Sequence, residues 1–504
     1  MQSLITPAAM KAMEQRYFTE TGTPSIDLME RAARALCDSL LRRFGNHETV
    51  AFACGPGGNG GDGYACARMY AQMGGKALIV SAGAPRTPDA IENLNRARAA
   101  GVPELTLEAF SEAPGVWVDA LYGTGLSRAP EGLAAELIER MNRDRAGGGR
   151  TVAVDIPSGL NGATGAAFRP CVRADVTVTF QFAKVGHWLG DGLDATGELE
   201  VADIGIPAGF FPGDLAGLVE DADVRDFLPR RPRNLHKGQN GHLLIVAGAF
   251  GMAGAAAMCA RAALRGGAGL VTVACPESIV PILQTLAPCA MCVPLPEADG
   301  AISPGAAEAL AAALPGKDAV ACGCGLSRRA APEVLRLLLD SGLPAVFDAD
   351  ALNLIAGQPD LKQRLNARHL ITPHPGEAAR LLGRRATDPI ADAFALRELG
   401  CAALLKGAAT VVPVGERALI SASGGCGMAK GGSGDCLTGI VGALMAEAAA
   451  HGTVLSGGTL ARCAAVASEI HGRAGELAQA KYGARGMCAT DLIDALPAAL
   501  LSYE

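Results

Sequence analysis

Short apolar runs alternate with longer amphipathic stretches along most of this chain. In the first half the runs are "TVAFAC" (49–54), "KALIVSA" (76–82), "VWVDALYG" (116–123), "TVAVDIPSG" (151–159) and "DVTVTF" (175–180). Each has the length of a buried strand, and Gly-containing turns close several of them. Helical periodicity falls around 62–73, 88–100 and 131–142. Two further helices precede the first run. The earlier of these opens with Thr6 at the N-cap and Pro7 at the first helical position, a capped helix and not a signal peptide. Strand and helix in alternation predict a mostly parallel sheet covered on both faces. In such sheets ligands bind beyond the carboxyl ends of the strands, where most of the polar and glycine-rich signatures here fall.

The pattern breaks between about 206 and 240, where Pro, Gly and charge cluster without periodicity, and a domain boundary is expected near 220. A second series then runs through "HLLIVAG" (242–248), "LVTVAC", "DAVACG", "PAVFDAD", "AALLKG" and "TVVP", and ends in long helical stretches from about 434 to 474. A length of 504 residues also favours two domains.

Composition narrows the function classes. Apolar residues make up 49% of the chain, enough for large cores, and 65 glycines suit closely packed α/β layers. A formal net charge of −7, with no basic run, argues against nucleic acid as the main partner. The 15 cysteines lie mostly among Ala, Gly and Val, as buried thiols do in a reducing cytoplasmic compartment. The tight pairs Cys289/Cys292 and Cys322/Cys324 lack the partners of a zinc site. No run reaches the roughly 20 apolar residues of a membrane span.

"CGPGGNGGDGYACARMY" (54–70) carries the chemistry of the first half. Its Gly55-x-Gly57-x-x-Gly60 has dinucleotide-fingerprint spacing, but the acidic residue expected at the end of the next strand is missing. Asp62 sits inside the glycine cluster, where it would repel a pyrophosphate. It is either a helix cap or a group that holds a ligand hydroxyl or a cation. Asp119 and Asp155 close two other strands, and Pro157, Ser158 and Gly159 form a turn that fixes the direction of Asp155. Asn59, Asp119 and Ser158 offer oxygen donors that suit a hard cation such as K⁺, Na⁺ or Mg²⁺.

"GPGGNGGDG", "DALYGTG" and "DIPSGLNG", followed by "TFQFAKVGHWL" and "ELEVADIGIP", resemble in order the epimerase domain of NAD(P)HX repair proteins. The resemblance spans about 1–215 and implies a Rossmann-like αβα domain that interconverts the R and S epimers of hydrated NADH and NADPH. It assigns Gly58, Asn59, Gly60, Gly61 and Asp62 to the hydrated dinucleotide. Gly123, Thr124, Gly125, Leu126, Ser127, Arg128, Ala129 and Asp155 belong to the same set. Asn59, Asp119 and Ser158 would hold K⁺. The family usually reads Asn-Asn-Gly-Gly-Asp, and this chain has Gly58 at the first Asn. Proton transfer at the hydrated carbon makes Asp155 the candidate acid/base. Lys184 reads either as an electrostatic helper or as a solvated surface lysine.

In the second half, "MAKGGSGDCLTGIVGALMAEAA" sets Gly432, Ser433, Gly434 and Asp435 at the mouth of a long apolar helix. Free amides and the helix dipole there favour a phosphate, and Asp435 is placed to take a proton from a hydroxyl or to cap the helix. No Walker motif is present. "HKGQNGHLLIVAGAFGMAGAA", "ACGCGLSR", "FDADALNLI", "TPHPGEAARLL", "KGAATVV" and "KGGSGD" resemble the ribokinase-like superfamily, and more narrowly the ADP-dependent NAD(P)HX dehydratase domain. Relatives often have GPGLG where this chain has Gly323 to Ser327. The resemblance covers 222–504 and assigns Ala255, Gly325, His374 and Asp435 to the hydrated nucleotide. It assigns Lys406, Gly407, Ala408, Ala409, Thr410 and Gly434 to the adenine nucleotide. ADP is the implied co-substrate, with Mg²⁺, and a homo-oligomer is expected. His374 lies between two prolines, which exclude helix at that residue. Asp348 and Asp350 either orient a ligand or metal or cap the following helix. Two other readings stay open, a ribokinase-like kinase of a sugar or vitamin alcohol and a dinucleotide-sensing protein without turnover.

Overall fold

The computed structural model describes residues 1–110, 113–213, 215–228 and 230–504. Two compact units emerge, Ser3–Ala216 and Gly217–Glu504, the latter joined by Met1–Gln2.

The first unit is built on six strands, β1 (Thr49–Cys54), β2 (Lys76–Ser81), β3 (Val116–Ala120), β4 (Arg150–Val154), β5 (Val176–Phe180) and β6 (Glu198–Ala202). They pair in the order β2-β1-β3-β4-β5-β6, every pair parallel. The apolar runs of the sequence supply these strands, and β1, β3 and β5 are buried almost throughout. Helices α1 (Pro7–Thr21), α2 (Ser25–Phe44), α3 (Gly58–Gln72), α4 (Pro88–Ala99) and α5 (Leu133–Ala146) accompany the sheet. The expected cap of α1 is present, with Thr6 Oγ1 accepting from the Ala9 amide at 3.2 Å.

One expectation needs correcting. Helix α3 begins at Gly58 and not at 62, so Gly58 to Asp62 are its first turn rather than a loop. Gly60 explains why. A Cβ there would lie 1.9 Å from the Gly55 carbonyl oxygen, so only glycine lets the helix start this close to the strand end. Asp62 is not a cap, because the N-cap is Gly57 and Asp62 already lies inside the helix.

The second unit carries seven strands, β7 (His242–Val246), β8 (Leu270–Pro276), β9 (Met291–Leu295), β10 (Ala319–Cys322), β11 (Ala345–Phe347), β12 (His369–Ile371) and β13 (Ala402–Ala403). Their order is β9-β8-β7-β10-β11-β12-β13, again wholly parallel. "TVVP" forms no strand of this sheet, because Thr410–Val414 turns back on Arg417–Ser421 as an antiparallel hairpin. Helices α6 (Ala253–Arg265), α7 (Pro375–Leu382), α8 (Ser433–Ala450) and α9 (Gly458–Gly486) position the chemistry. The helical stretches expected from about 434 to 474 are two helices, parted at 451–457, the second running on to Gly486. Residues 436–447 of α8 are all buried, which explains why this helix is apolar on every face. It packs tightly on α6, since a Cβ at Gly439 would fall 2.2 Å from the Cys259 carbonyl oxygen. Among the described residues no helix is long and apolar enough to cross a membrane.

The contrast between two neighbouring glycines is testable. Gly60→Ala forces backbone apart and should destabilise the first unit by about 1–3 kcal/mol, read by thermal unfolding. Gly58→Ala, whose Cβ meets nothing within 4 Å, should leave the melting temperature unchanged or raise it.

Candidate functional site

In the first sheet β1 is flanked by β2 and β3, and in the second β7 is flanked by β8 and β10. At such a point the chain departs in opposite directions from two adjacent strands, and a crevice opens at their carboxyl ends. In the first unit that crevice is a cavity of about 810 Å³. Segments after β1 and β3 line it, including Gly58, Asn59, Asp62 and residues 123–128, and Asp155 and Lys184 reach in from the neighbouring strand ends. Three assigned residues are not among the lining ones. Gly60 and Gly61 are buried in packing contacts, against the Gly55 carbonyl and the Met29 sulfur, and Ala129 is exposed outside the cavity.

Asp155 is the most firmly held group in the cavity. Its backbone has φ +63°, an uncommon conformation for a residue with a side chain, stabilised by its amide donating to the Val178 carbonyl at 2.8 Å. Lys184 Nζ donates to Asp155 Oδ1 (2.5 Å), Thr179 Oγ1 (2.9 Å) and the Phe180 carbonyl (3.1 Å). Lys184 is only 1% exposed, so it is no surface lysine. Thr179 donates its own proton to Asp155 at 2.9 Å. Burial alone would raise the Asp155 carboxyl, but the Lys184 ammonium and these hydrogen bonds hold it below the usual range. His187 braces the pair. Its Nδ1 accepts from the Lys184 amide at 3.1 Å and its Nε2 lies 3.0 Å from the Asp155 carbonyl, and burial pushes the ring down to about 4, so it is neutral.

Asp62 behaves in the opposite way. Burial raises its carboxyl well above the usual range, with Asp155, Glu14 and Asp89 adding to the effect and Lys184 only partly opposing it. A carboxyl shifted in that direction repels a pyrophosphate less than its place in the glycine cluster suggests. Glu14 on α1, unnoticed in the sequence reading, also faces the cavity, and burial pushes it up to about 7. The sequence held a signal for it. Met10, Met13 and Tyr17 form the buried stripe of α1, and Glu14 is a carboxylate set into that stripe.

Behind the cavity, Asp119 is fully buried and accepts from the Ser158 amide (2.7 Å) and hydroxyl (2.6 Å) and from the Leu121 amide (3.2 Å). Burial lifts its carboxyl to about 6 against the pull of those bonds. Asn59 Oδ1 borders Gly123, and Asn59 Nδ2 is buried without a hydrogen-bond partner. The Asp119 carboxylate, the Ser158 hydroxyl oxygen and the Asn59 amide oxygen are the oxygen donors here, of the kind that suits a monovalent cation, whereas Asn59 Nδ2 is an N–H donor and no cation ligand.

In the second unit, the turn after β7 leads into α6 with Ala255 in its first turn, and the turn after β10 brings Gly325 against it. A Cβ on Gly325 would lie 2.9 Å from that of Ala255. Asp348 follows β11 and is 1% exposed. It occupies the N-cap position of the next helix yet makes no side-chain cap. Its oxygens instead accept from Lys406 Nζ (2.6 Å) and Thr438 Oγ1 (2.7 Å), which ties β11, the β13 turn and α8 together. Asp350 accepts from the Ser327 amide at 2.9 Å. Gly434 stands next to this pair, a Cβ there being 3.5 Å from Lys406 Nζ. Gly407 and Ala408 are exposed, while Ala409 and Thr410 lead into the hairpin.

Asp435 lies in the first turn of α8, whose N-cap is the left-handed Gly432, so Asp435 is not the cap. Burial raises its carboxyl to about 6, opposed by a hydrogen bond from the Cys324 thiol. The glycine turn before it is anchored by His471, whose Nε2 is 2.9 Å from the Ser433 carbonyl, and by Ser433 Oγ donating to the Met428 carbonyl at 2.7 Å. His374 is outside helix, as its prolines require, but it opens one. It caps α7, its Nδ1 accepting from the Gly376 and Glu377 amides, while Glu377 accepts from the His374 amide at 2.9 Å. Half of its side chain stays exposed.

Together these features define a class, a pair of parallel α/β units, each with an acidic residue near the strand ends where its strand order switches, and the first with a cavity there. Residues 25–186 match the family described as YjeF-related protein N-terminus, and residues 243–498 match the NAD(P)H-hydrate dehydratase family. The bifunctional NAD(P)H-hydrate repair enzyme of Moorella thermoacetica is 38% identical over 528 residues, covering 99% of this chain and 97% of its own. That of Escherichia coli K12 is 35% identical over 495 residues, covering 94% and 89%. Among solved structures, the ADP/ATP-dependent NAD(P)H-hydrate dehydratase of Bacillus subtilis co-crystallized with ATP/Mg²⁺ has a TM-score of 0.46 and 26% identity, covering 57% of this chain and 99% of that one. The chain belongs to the bifunctional NAD(P)H-hydrate repair enzyme family.

The Asp155–Lys184 pair generates a prediction. Lys184→Met leaves Asp155 buried without its cation and should destabilise the first unit by about 3–5 kcal/mol at neutral pH. In the wild type the depressed Asp155 pKa contributes stability above the ordinary carboxylate range and loses it as pH falls. The variant lacks that contribution, so calorimetry should find the gap between the two narrowing toward acid pH.

Proposed function

We propose that this chain repairs hydrated nicotinamide cofactors, with Ser3–Ala216 as the epimerase and Gly217–Glu504 as the nucleotide-dependent dehydratase. The observation that carries the reading is that each unit sets one perturbed carboxyl, Asp155 or Asp435, near the strand ends where its strand order reverses. The match to bifunctional relatives over nearly the whole chain supports it.

In the epimerase, the volume of the cavity falls within the range of small-molecule sites, about 300–1,000 Å³. The first turn of α3 and the 123–128 segment would bind the dinucleotide, with Asp62, raised by burial, able to donate to it. Asp155, kept ionised by Lys184, accepts protons at the hydrated carbon. Gly58 leaves open space where relatives carry Asn, so it removes a ligand contact without disturbing the fold. Asn59, Asp119 and Ser158 fit K⁺, which would supply the positive charge that Asp119 lacks and stiffen the 119–123 and 158 turns that shape the cavity.

In the dehydratase, the amides of 432–434 and the α8 dipole would stabilise the phosphoryl group in transit from ADP. Asp435 takes the proton of the substrate hydroxyl as its oxygen bonds to phosphorus, and AMP leaves. The carbon–oxygen bond then breaks, phosphate departing as the ring-nitrogen lone pair pushes in. Loss of a proton from the adjacent carbon restores the dihydronicotinamide. Lys406, held by Asp348, would face the nucleotide phosphates, and residues 407–410 would border the nucleotide. Ala255, Gly325 and His374 would border the hydrated ring. Mg²⁺ would screen the phosphate charge. Fifteen cysteines, all unpaired, support a cytoplasmic setting.

The test supplies separated R- and S-NADHX with ADP or ATP, Mg²⁺ and K⁺, followed by chromatography and dihydronicotinamide absorbance. Consumption of neither epimer sinks the proposal, and a stable phosphorylated product would point to a small-molecule kinase instead. Asp435→Asn should abolish dehydration and spare epimerisation, and Asp155→Asn should do the reverse. Because Asp435 must be ionised to accept a proton, the dehydration rate should rise with pH through about 6.

A further inference from the structure

Epimerisation moves a hydroxyl from one face of the nicotinamide ring to the other, so a group that works on one face serves only half of the event. Asp155 is ionised and suited to accept a proton, which leaves the donor unassigned. The cavity holds a candidate on a different element. Glu14 reaches in from α1, whereas Asp155 and Lys184 come from the strand ends. Among the described residues no hydrogen bond or ion pair takes up the Glu14 carboxyl. A carboxyl set into the buried stripe of a helix, unpaired and facing a ligand cavity, has no structural use that offsets its desolvation.

We propose that Glu14 is the general acid of the epimerisation, working with Asp155 on the opposite face of the hydrated ring. The inference rests on the reading of this cavity as the epimerisation site. The Glu14 proton passes to the hydroxyl as the carbon–oxygen bond breaks, water leaves with that electron pair, and the ring-nitrogen lone pair closes an iminium. A water on the other face then bonds to the same carbon, gives its proton to Asp155, and returns the iminium pair to nitrogen. Glu14 regains a proton from solvent and Asp155 releases one, so no net proton is consumed and no oxidant or reductant is needed. The environment separates the two carboxyls in the sense this division of labour requires. Burial and the Asp155 charge raise Glu14 to about 7, and Lys184 holds Asp155 low.

Asp62 and Asp89 also border the cavity, along with the cations Lys11, Arg86 and Arg128. Their charges set where Glu14 titrates, and the experiment isolates Glu14 from them. Conversion of R- to S-NADHX is followed by chromatography without nucleotide, which silences dehydration, and with the enzyme-free rate subtracted. The wild-type rate should fall as pH rises through about 7, where Glu14 loses its proton. Glu14→Gln should lower kcat by about 10²–10⁴-fold with KM little changed and should lack that falling limb. Glu14→Asp should keep a falling limb and part of the rate. ADP-dependent dehydration of S-NADHX should match wild type in both variants.

A Glu14→Gln rate within threefold of wild type, or the same falling limb in that variant, overturns the proposal. Should Glu14→Gln also lose substrate binding, Glu14→Asp decides, and activity without a falling limb overturns it. Failure of the wild type to epimerise sinks the site reading itself. An inactive Asp155→Asn beside a fully active Glu14→Gln removes only the role of Glu14.

Discussion

The order of parallel strands governs this molecule. In each unit one strand is flanked by the strands that follow it on either side, so the segments leaving two neighbours run apart. Backbone pairing fills the sheet, but nothing fills the wedge between those two exits. In the first unit the wedge is the cavity beneath the glycine-rich turn of α3. In the second the Ala255 turn of α6 and the Gly325 turn meet at the corresponding strand ends, with Asp348 and Asp435 on adjoining elements. Close approach at Gly60 lets α3 start at the strand end, and close approach at Gly439 lets α8 pack on α6.

Charge within the wedges is sorted by distance from a buried cation. Lys184 takes Asp155 as its partner and holds its carboxyl low, while burial raises Asp62 and Glu14. In the second unit Lys406 pairs with Asp348 at 2.6 Å, and burial raises the nearby Asp435. In the first cavity one buried lysine therefore separates a carboxyl held low from carboxyls raised by burial. Non-glycine residues with positive φ stand at the same places, Asp155 in one unit and Ser327 and Ala349 in the other. Such backbone strain collects where a side chain must point in one direction for chemical reasons.

Much of this was legible beforehand. Apolar runs of strand length placed β1 to β5 and most of the second sheet, because strands buried on both faces read as continuous hydrophobic segments. Glycine and aspartate at their ends marked the crevices, and motif order indicated the family. Less legible were Glu14, the burial of Lys184 and the start of α3. A charged residue in a helix stripe resembles a surface residue until the neighbouring elements are known. "GGNGGD" reads as a loop by propensity, and only the packing of Gly60 on Gly55 makes it helix. Gly60, Gly61 and Ala129 were assigned to the ligand by motif membership alone. Two of them serve packing and the third lies outside the cavity.

The sequence by itself determined the alternation of strand and helix, the two-unit organisation and the residue types available for chemistry. These depend on local periodicity and turn propensity, which any stretch of chain carries with it. Tertiary structure alone decided which carboxyls are charged. Protonation depends on how far each group sits from water and from Lys184 or Lys406, and those distances are set by strands and helices far apart in sequence. Asp155 and Glu14 are both acidic residues on paper, and only the folded cavity makes one an acceptor and the other a donor.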